Sequence, residues 1–172
     1  MSRISRTAVL RAIKAVEEMS AQQKLALADE IFASQPNLLG SVLVLRNLGV
    51  SPAKQEFALG MLFLGFQAMK ESGLPWPLIT VDDQAHQMRR DSAVLRFFAS
   101  MDRRPEQLSS ARQYIDGHPE QELYAWVMTK SRDWLMKSPP EESDKYVIQA
   151  VVNTVSCISF VPIPADAPRP IQ

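Results

Sequence analysis

Gln84, Gln87 and Asp91 are the residues whose types and spacing could do chemistry. They recur at intervals of three and four, so a helix through them carries Asp91 on the side of Met88, Leu95 and Phe98, with the two amides one and two turns earlier. A carboxylate turned toward an apolar core costs several kcal/mol unless it is paired. Asp91 is therefore expected to meet an arginine, a lysine or unpaired N–H groups. Two arrangements satisfy that demand. One is a polar pocket lined by Gln84, Gln87 and Asp91 with Glu56 from an earlier segment, suited to binding or transforming a small molecule. The other is a buried hydrogen-bond network with no ligand.

Other candidate groups point elsewhere. Asp83 precedes His86 by three residues, the carboxylate-x-x-His spacing that supplies half of a di-metal bundle site. Asp83, however, also stands three residues after Thr80, where a capping box places its acid, and His86 falls with Asp82, Arg89 and Arg90 on a solvated face. The second histidine, His118, lies in a Gly-His-Pro break. Cys157, the single cysteine, sits in VVNTVSCISFV, an apolar setting that raises a thiol's pKa and leaves it as packing. No glycine-rich phosphate loop, no G-x-S-x-G and no H-E-x-x-H occurs. These absences leave no catalytic set, metal site or cofactor to assign, and the reading is of a protein that is not an enzyme.

Leu48 to Phe57 reads LGVSPAKQEF. A helix ending in leucine, a glycine at the bend, a valine in the turn and a serine-capped second helix together resemble the helix-turn-helix unit of DNA-binding proteins. That resemblance covers about twenty residues and implies a nucleic-acid partner read by the second helix. The sequence departs from the pattern at Leu45, which is bulky where close helix crossing favours alanine or glycine. It departs again at Lys54, where the family buries a branched apolar side chain. The second helix continues FALGMLFLGF, with no polar set to read base edges.

The elements that would position these groups are helices. Ser51 to Pro75 organises them: Pro52 suits a first helical turn, Gly73 can close the helix in the left-handed conformation, and Pro75 forbids continuation. Between those signals Phe57, Leu59, Met61, Leu62, Leu64, Phe66 and Met69 cover most of the circumference, interrupted only by a strip of Glu56, Gln67 and Lys70. A helix apolar nearly all round is enclosed by others. Upstream, residues 3–18 form an amphipathic helix with Val9, Ala12, Ile13, Val16 and Met19 inward and Arg3, Arg6, Arg11 and Lys14 on a solvated face. Residues 20–34 begin with a Ser20–Gln23 capping box and carry Leu25, Ala28, Ile31 and Phe32 inward. Residues 38–48 form a short helix apolar on almost every side, packed with 52–72 as the buried centre.

Downstream, Trp76 is held in the rigid loop GLPWPLIT, where it either fills the core or anchors a partner. Helices follow over residues 80–101, 105–116, 119–137 and 138–160, the last opening with a capping box of Ser138 and Glu141. Residues 161–172, VPIPADAPRPIQ, are too rich in proline for helix and are expected to be extended.

Composition agrees with one globular unit. The chain has 172 residues, 46% hydrophobic and 22% charged, enough to bury roughly 70% of its extended surface in a single core. Nineteen basic residues balance nineteen acidic ones, so no global field draws nucleic acid or an anionic membrane. No run approaches the length of a membrane span and no signal-peptide core is present, so a cytoplasmic location is expected.

The expectation is an all-α domain over residues 1–160, about eight helices around 52–72, with an extended tail. Its apolar surface exceeds what one small bundle hides easily, which points to an interaction or assembly module that self-associates. The tail, with Val161, Ile163 and Ile171 on a proline frame, and Trp76 are the candidate contact residues. Its partners would then be copies of itself or another protein. The polar pocket around Asp91 and the DNA-binding turn are the alternatives.

Overall fold

A computed structural model describes residues 2–99 and 117–164, with the side chains of 93–99 left aside. Seven α-helices appear among them: α1 Arg6–Glu18, α2 Ala21–Ser34, α3 Pro36–Leu43, α4 Pro52–Ser72, α5 Val81–Ala99, α6 Gln121–Lys137 and α7 Asp144–Phe160. A 3₁₀ turn, Val44–Leu48, continues α3. The helix expected over 105–116 lies outside the described residues, as does Ile171.

α4 is the centre, and its ends are where residue chemistry places them. Pro52 occupies its first position, and Gly73 closes it at φ 64°. Gly49 likewise ends the preceding turn at φ 80°. Ser51 stands at the N-cap position, but its side chain accepts no capping hydrogen bond. Every residue from Leu62 to Met69 is buried, and α4 packs against α1, α2, α3, α6 and α7.

The second enclosed helix differs from the expected one. α7, rather than the 38–48 segment, forms the second enclosed helix, with an unbroken buried run from Ala150 to Ser159. The β-branched residues there occupy helix because Val147, Val151 and Val155 share one packed face with Ile158. By contrast Leu43, Val44 and Leu48 of the 36–48 segment reach solvent.

The crossing of α4 on α7 is close at Gly65. A Cβ added there would stand 2.9 Å from Cδ1 of Ile158, itself fully buried, and 3.9 Å from Cγ2 of Thr154. Gly65→Ala is expected to cost about 1–3 kcal/mol because the helices must separate or Ile158 must leave its rotamer. Urea denaturation checks this, and an unchanged midpoint would refute the close crossing.

Two further elements begin elsewhere than expected. α1 starts at Arg6, capped by Ser5, whose Oγ accepts from the Ala8 N–H at 3.2 Å. α7 starts at Asp144, because Asp144 takes the role assigned to Glu141: its carboxylate accepts the Glu141 N–H at 2.9 Å. The Ser20–Gln23 and Thr80–Asp83 capping boxes form as expected.

α2 is rotated from the expected orientation. Ile31 is buried as expected and Ala28 packs partly against the core, but Leu27 completes the stripe, while Leu25 and Phe32 face solvent at 65% and 68% exposure. Both stripes are apolar at helical spacing. The one that packs is the one followed by Gln35, whose side chain ties the 74–80 loop: its Nε2 donates to Pro77 O at 2.8 Å and its Oε1 accepts from Ile79 N at 2.9 Å.

Candidate functional site

Asp91 points inward, at 3% exposure, from α5 onto α7. The partner it meets is neither arginine nor lysine: Ser156 Oγ donates to its Oδ1 at 2.9 Å. Among the described residues its other oxygen, Oδ2, has no hydrogen-bond partner, and neither does Oε1 of Gln87, buried one turn earlier on the same helix. Burial pushes the Asp91 carboxyl up to about 6, against the Ser156 bond and the nearby Arg90, which both favour the ionised form. Arg90 itself lies over the Phe160 ring, 3.6 Å from its centroid.

Two of the other three expected pocket residues, Gln84 and Glu56, do not converge on this point. Gln84 is buried, and its Nε2 donates to Asn37 O at 3.1 Å, fastening α5 to the start of α3. Gln87 alone stands with Asp91. Glu56 is exposed on the first turn-and-a-half of α4 and takes no part. On α7, beside the Ser156 that meets Asp91, Cys157 and Asn153 are also buried. Burial, followed by the negative field of Asp91, raises the Cys157 thiol to about 12, so it is packing and not a nucleophile.

Two polar networks escaped sequence reading. Glu120, with 0% exposure, accepts from Arg3 N at 3.1 Å, Arg3 Nε at 3.1 Å, Ile4 N at 2.9 Å and the Ser2 hydroxyl. Arg3 then donates onward to Ile158 O at 2.7 Å, Val161 O at 2.6 Å and Ser159 O, the carbonyls that a helix end leaves without intrahelical partners. The chain start, the start of α6 and the end of α7 are thereby fastened at one point. Arg3 is thus a structural cation and no member of a solvated basic face.

Beside this junction, His118 is buried and stacks on Tyr124 with centroids 4.1 Å apart. Burial drives its pKa down to about 4. His86 is on the surface, and Asp83 is held below the usual carboxylate range chiefly by the Thr80 hydroxyl.

The second network is built on Lys54, buried where a helix-turn-helix would place an apolar residue. Its ammonium donates to Pro139 O at 2.8 Å and to Asp144, lies 3.5 Å from Glu141, and sits over Trp134. Burial favours the neutral form of Asp144, but the bonds from Lys54 and the Glu141 N–H outweigh it and hold its pKa low. Next to it Gln55 Nε2 donates to Val42 O and Leu43 O, each at 3.1 Å, closing the end of α3. The Leu48–Phe57 turn therefore folds as a helical hairpin whose second helix is the buried core, with the side chains of Lys54 and Gln55 enclosed.

Of the expected contact residues, Trp76 is half-buried and its indole N–H donates to Met69 O at 3.0 Å, capping the end of α4. Val161 is buried against its own chain, and Ile163 is half-buried. Surface apolar groups occur instead on α2, with Leu25 and Phe32, and on α1, with Leu10 at 57% exposure. Leu10 borders a cleft between α1 and α6 lined also by Val9, Ile13 and Trp126, with Arg6 and Glu122 alongside.

Among the described residues no helix is long and apolar enough to cross a membrane, and no three His, Cys, Asp or Glu side chains gather to hold a metal ion. Comparison of the chain with protein-family models, with curated proteins and with solved structures finds no match.

Proposed function

We propose that this chain is a non-enzymatic helical interaction module that associates with copies of itself. The observation that carries the reading is the outer face of α2: Leu25 and Phe32, seven residues apart and therefore on one side, are 65% and 68% exposed. Two large apolar side chains at that spacing are what a helix offers to an apolar groove. The buried Val161 removes the inner end of the tail from that role and shifts it to α2.

Light scattering tests the proposal. The unaltered chain is expected to give a molar mass at least twice 19.3 kDa at micromolar concentration. Leu25→Glu combined with Phe32→Glu is expected to return it to the monomer with its helicity unchanged, since neither side chain packs internally. A monomeric unaltered chain would overturn the proposal.

One observation favours a second reading, a small-molecule site at Asp91. Among the described residues Oδ2 of Asp91 and Oε1 of Gln87 are both buried acceptors without donors, and donation from a ligand amine would relieve the cost of burying such a group. Thermal-shift measurements with small primary amines and amides test it. Stabilisation that disappears in Asp91→Asn supports the site, and none at millimolar ligand refutes it.

A further inference from the structure

We infer that the face of α2 on one copy seats in the cleft between α1 and α6 of another. The inference rests on the self-association proposed above and assigns its two surfaces. The dimensions agree. Arg6 to Ile13 on one wall and Glu122 to Thr129 on the other each cover seven residue steps, about 10.5 Å of helix, and Leu25 to Phe32 covers the same distance.

The chemistry agrees as well. Val9, Leu10, Ile13 and Trp126 supply apolar walls, and an aromatic floor suits Phe32. On α2, Asp29 lies one turn after Leu25 and stands exposed beside both anchors. The cleft presents Arg6 and Glu122 in its lining and Lys130 beside it, over the Trp126 ring at 5.1 Å from the centroid, so a carboxylate arriving with α2 meets two cations against one carboxylate. The Glu120 junction holds the starts of α1 and α6 together, which fixes the cleft before any partner arrives.

A mixing experiment tests the pairing. Leu10→Asp spoils the cleft and leaves the α2 face intact, whereas Phe32→Asp does the reverse. Both positions are exposed, and circular dichroism verifies the fold of each. Each variant alone is expected to lose at least about tenfold in association constant, and an equimolar mixture is expected to recover a heterodimer from the one intact cleft and the one intact face.

Should Leu10→Asp lose helicity, the charge reversals Arg6→Glu and Asp29→Arg serve the same design, each weakening association alone and restoring it when mixed. An unaltered chain that associates, with Leu10→Asp leaving its mass unchanged or with mixtures that stay monomeric, overturns the inference while the self-association reading stands. A monomeric unaltered chain overturns that reading itself. Association of Phe32→Asp with other proteins through an intact cleft, with no self-association, would show the occupant to be a different helix and would also overturn the inference.

Discussion

Glu120→Ala is expected to destabilise the protein by about 3–5 kcal/mol, the range for removing one partner of a buried charge network. The carboxylate has 0% exposure and accepts four hydrogen bonds, from Ser2, the Arg3 and Ile4 N–H groups and the Arg3 guanidinium. Alanine would strand those donors, and Arg3 would lose the group that aims it at the carbonyls of Ile158, Ser159 and Val161. Marginal stability makes this a large fraction of the total, and Tm should fall by about 6–20 °C. Glu120→Gln keeps the shape but turns a donor toward donors, so it should recover only part of the loss. Ser2→Ala removes one half-buried bond and should cost about 0.5–1.5 kcal/mol. Calorimetry showing Glu120→Ala within a degree or two of the unaltered chain would refute the junction.

Asp91→Asn is expected to stabilise the protein at neutral pH and to do so less as the solution is acidified. The carboxyl moves from an ordinary value of 3.8 to about 6 in the folded state, so the folded protein holds a proton that the unfolded chain releases. The stability associated with that proton is fully present below pH 3.8 and is lost as pH rises through about 6. Above that, ionised Asp91 carries a penalty of about 3 kcal/mol. Asparagine avoids it and keeps an acceptor for Ser156.

His118 works in the opposite direction. Its depressed value of about 4, against an ordinary 6.5, removes stability as pH falls through that window. The two dependences oppose each other in the unaltered chain. The informative quantity is the difference between variant and unaltered chain, about 3 kcal/mol near pH 7 and close to zero near pH 4. A difference independent of pH in urea titrations would show that Asp91 is not the buried, proton-retaining group described above.

What was readable in the sequence follows the range of the forces involved. Pro52, Gly49 and Gly73 fix the ends of α4 through backbone geometry that acts within a few residues, and the Ser20–Gln23 and Thr80–Asp83 boxes are equally local. The inward turn of Asp91 was legible from periodicity, though not the hydroxyl it meets across 65 residues of chain. Glu120 could not be singled out, since its donors lie 116 to 118 residues away and nothing local marks it. α2 was read correctly at Ile31 but not at Leu25 and Phe32, because Leu27 offers an equally good continuation of the stripe and the choice is made by α3 and α4. The start of α7 was displaced for a related reason: Asp144 is recruited by Lys54, 90 residues away.

The central claim is that α4 is covered by its own chain whereas the outer face of α2 is covered by a second copy. Hydrogen exchange followed by residue, at micromolar and at nanomolar concentration, tests it most directly. Amides from Leu62 to Met69 should exchange slowly and at the same rate under both conditions, and those of Ala21–Ser34 should exchange faster on dilution. Exchange across α2 that does not change with concentration, or fast exchange within Leu62 to Met69, would contradict the account.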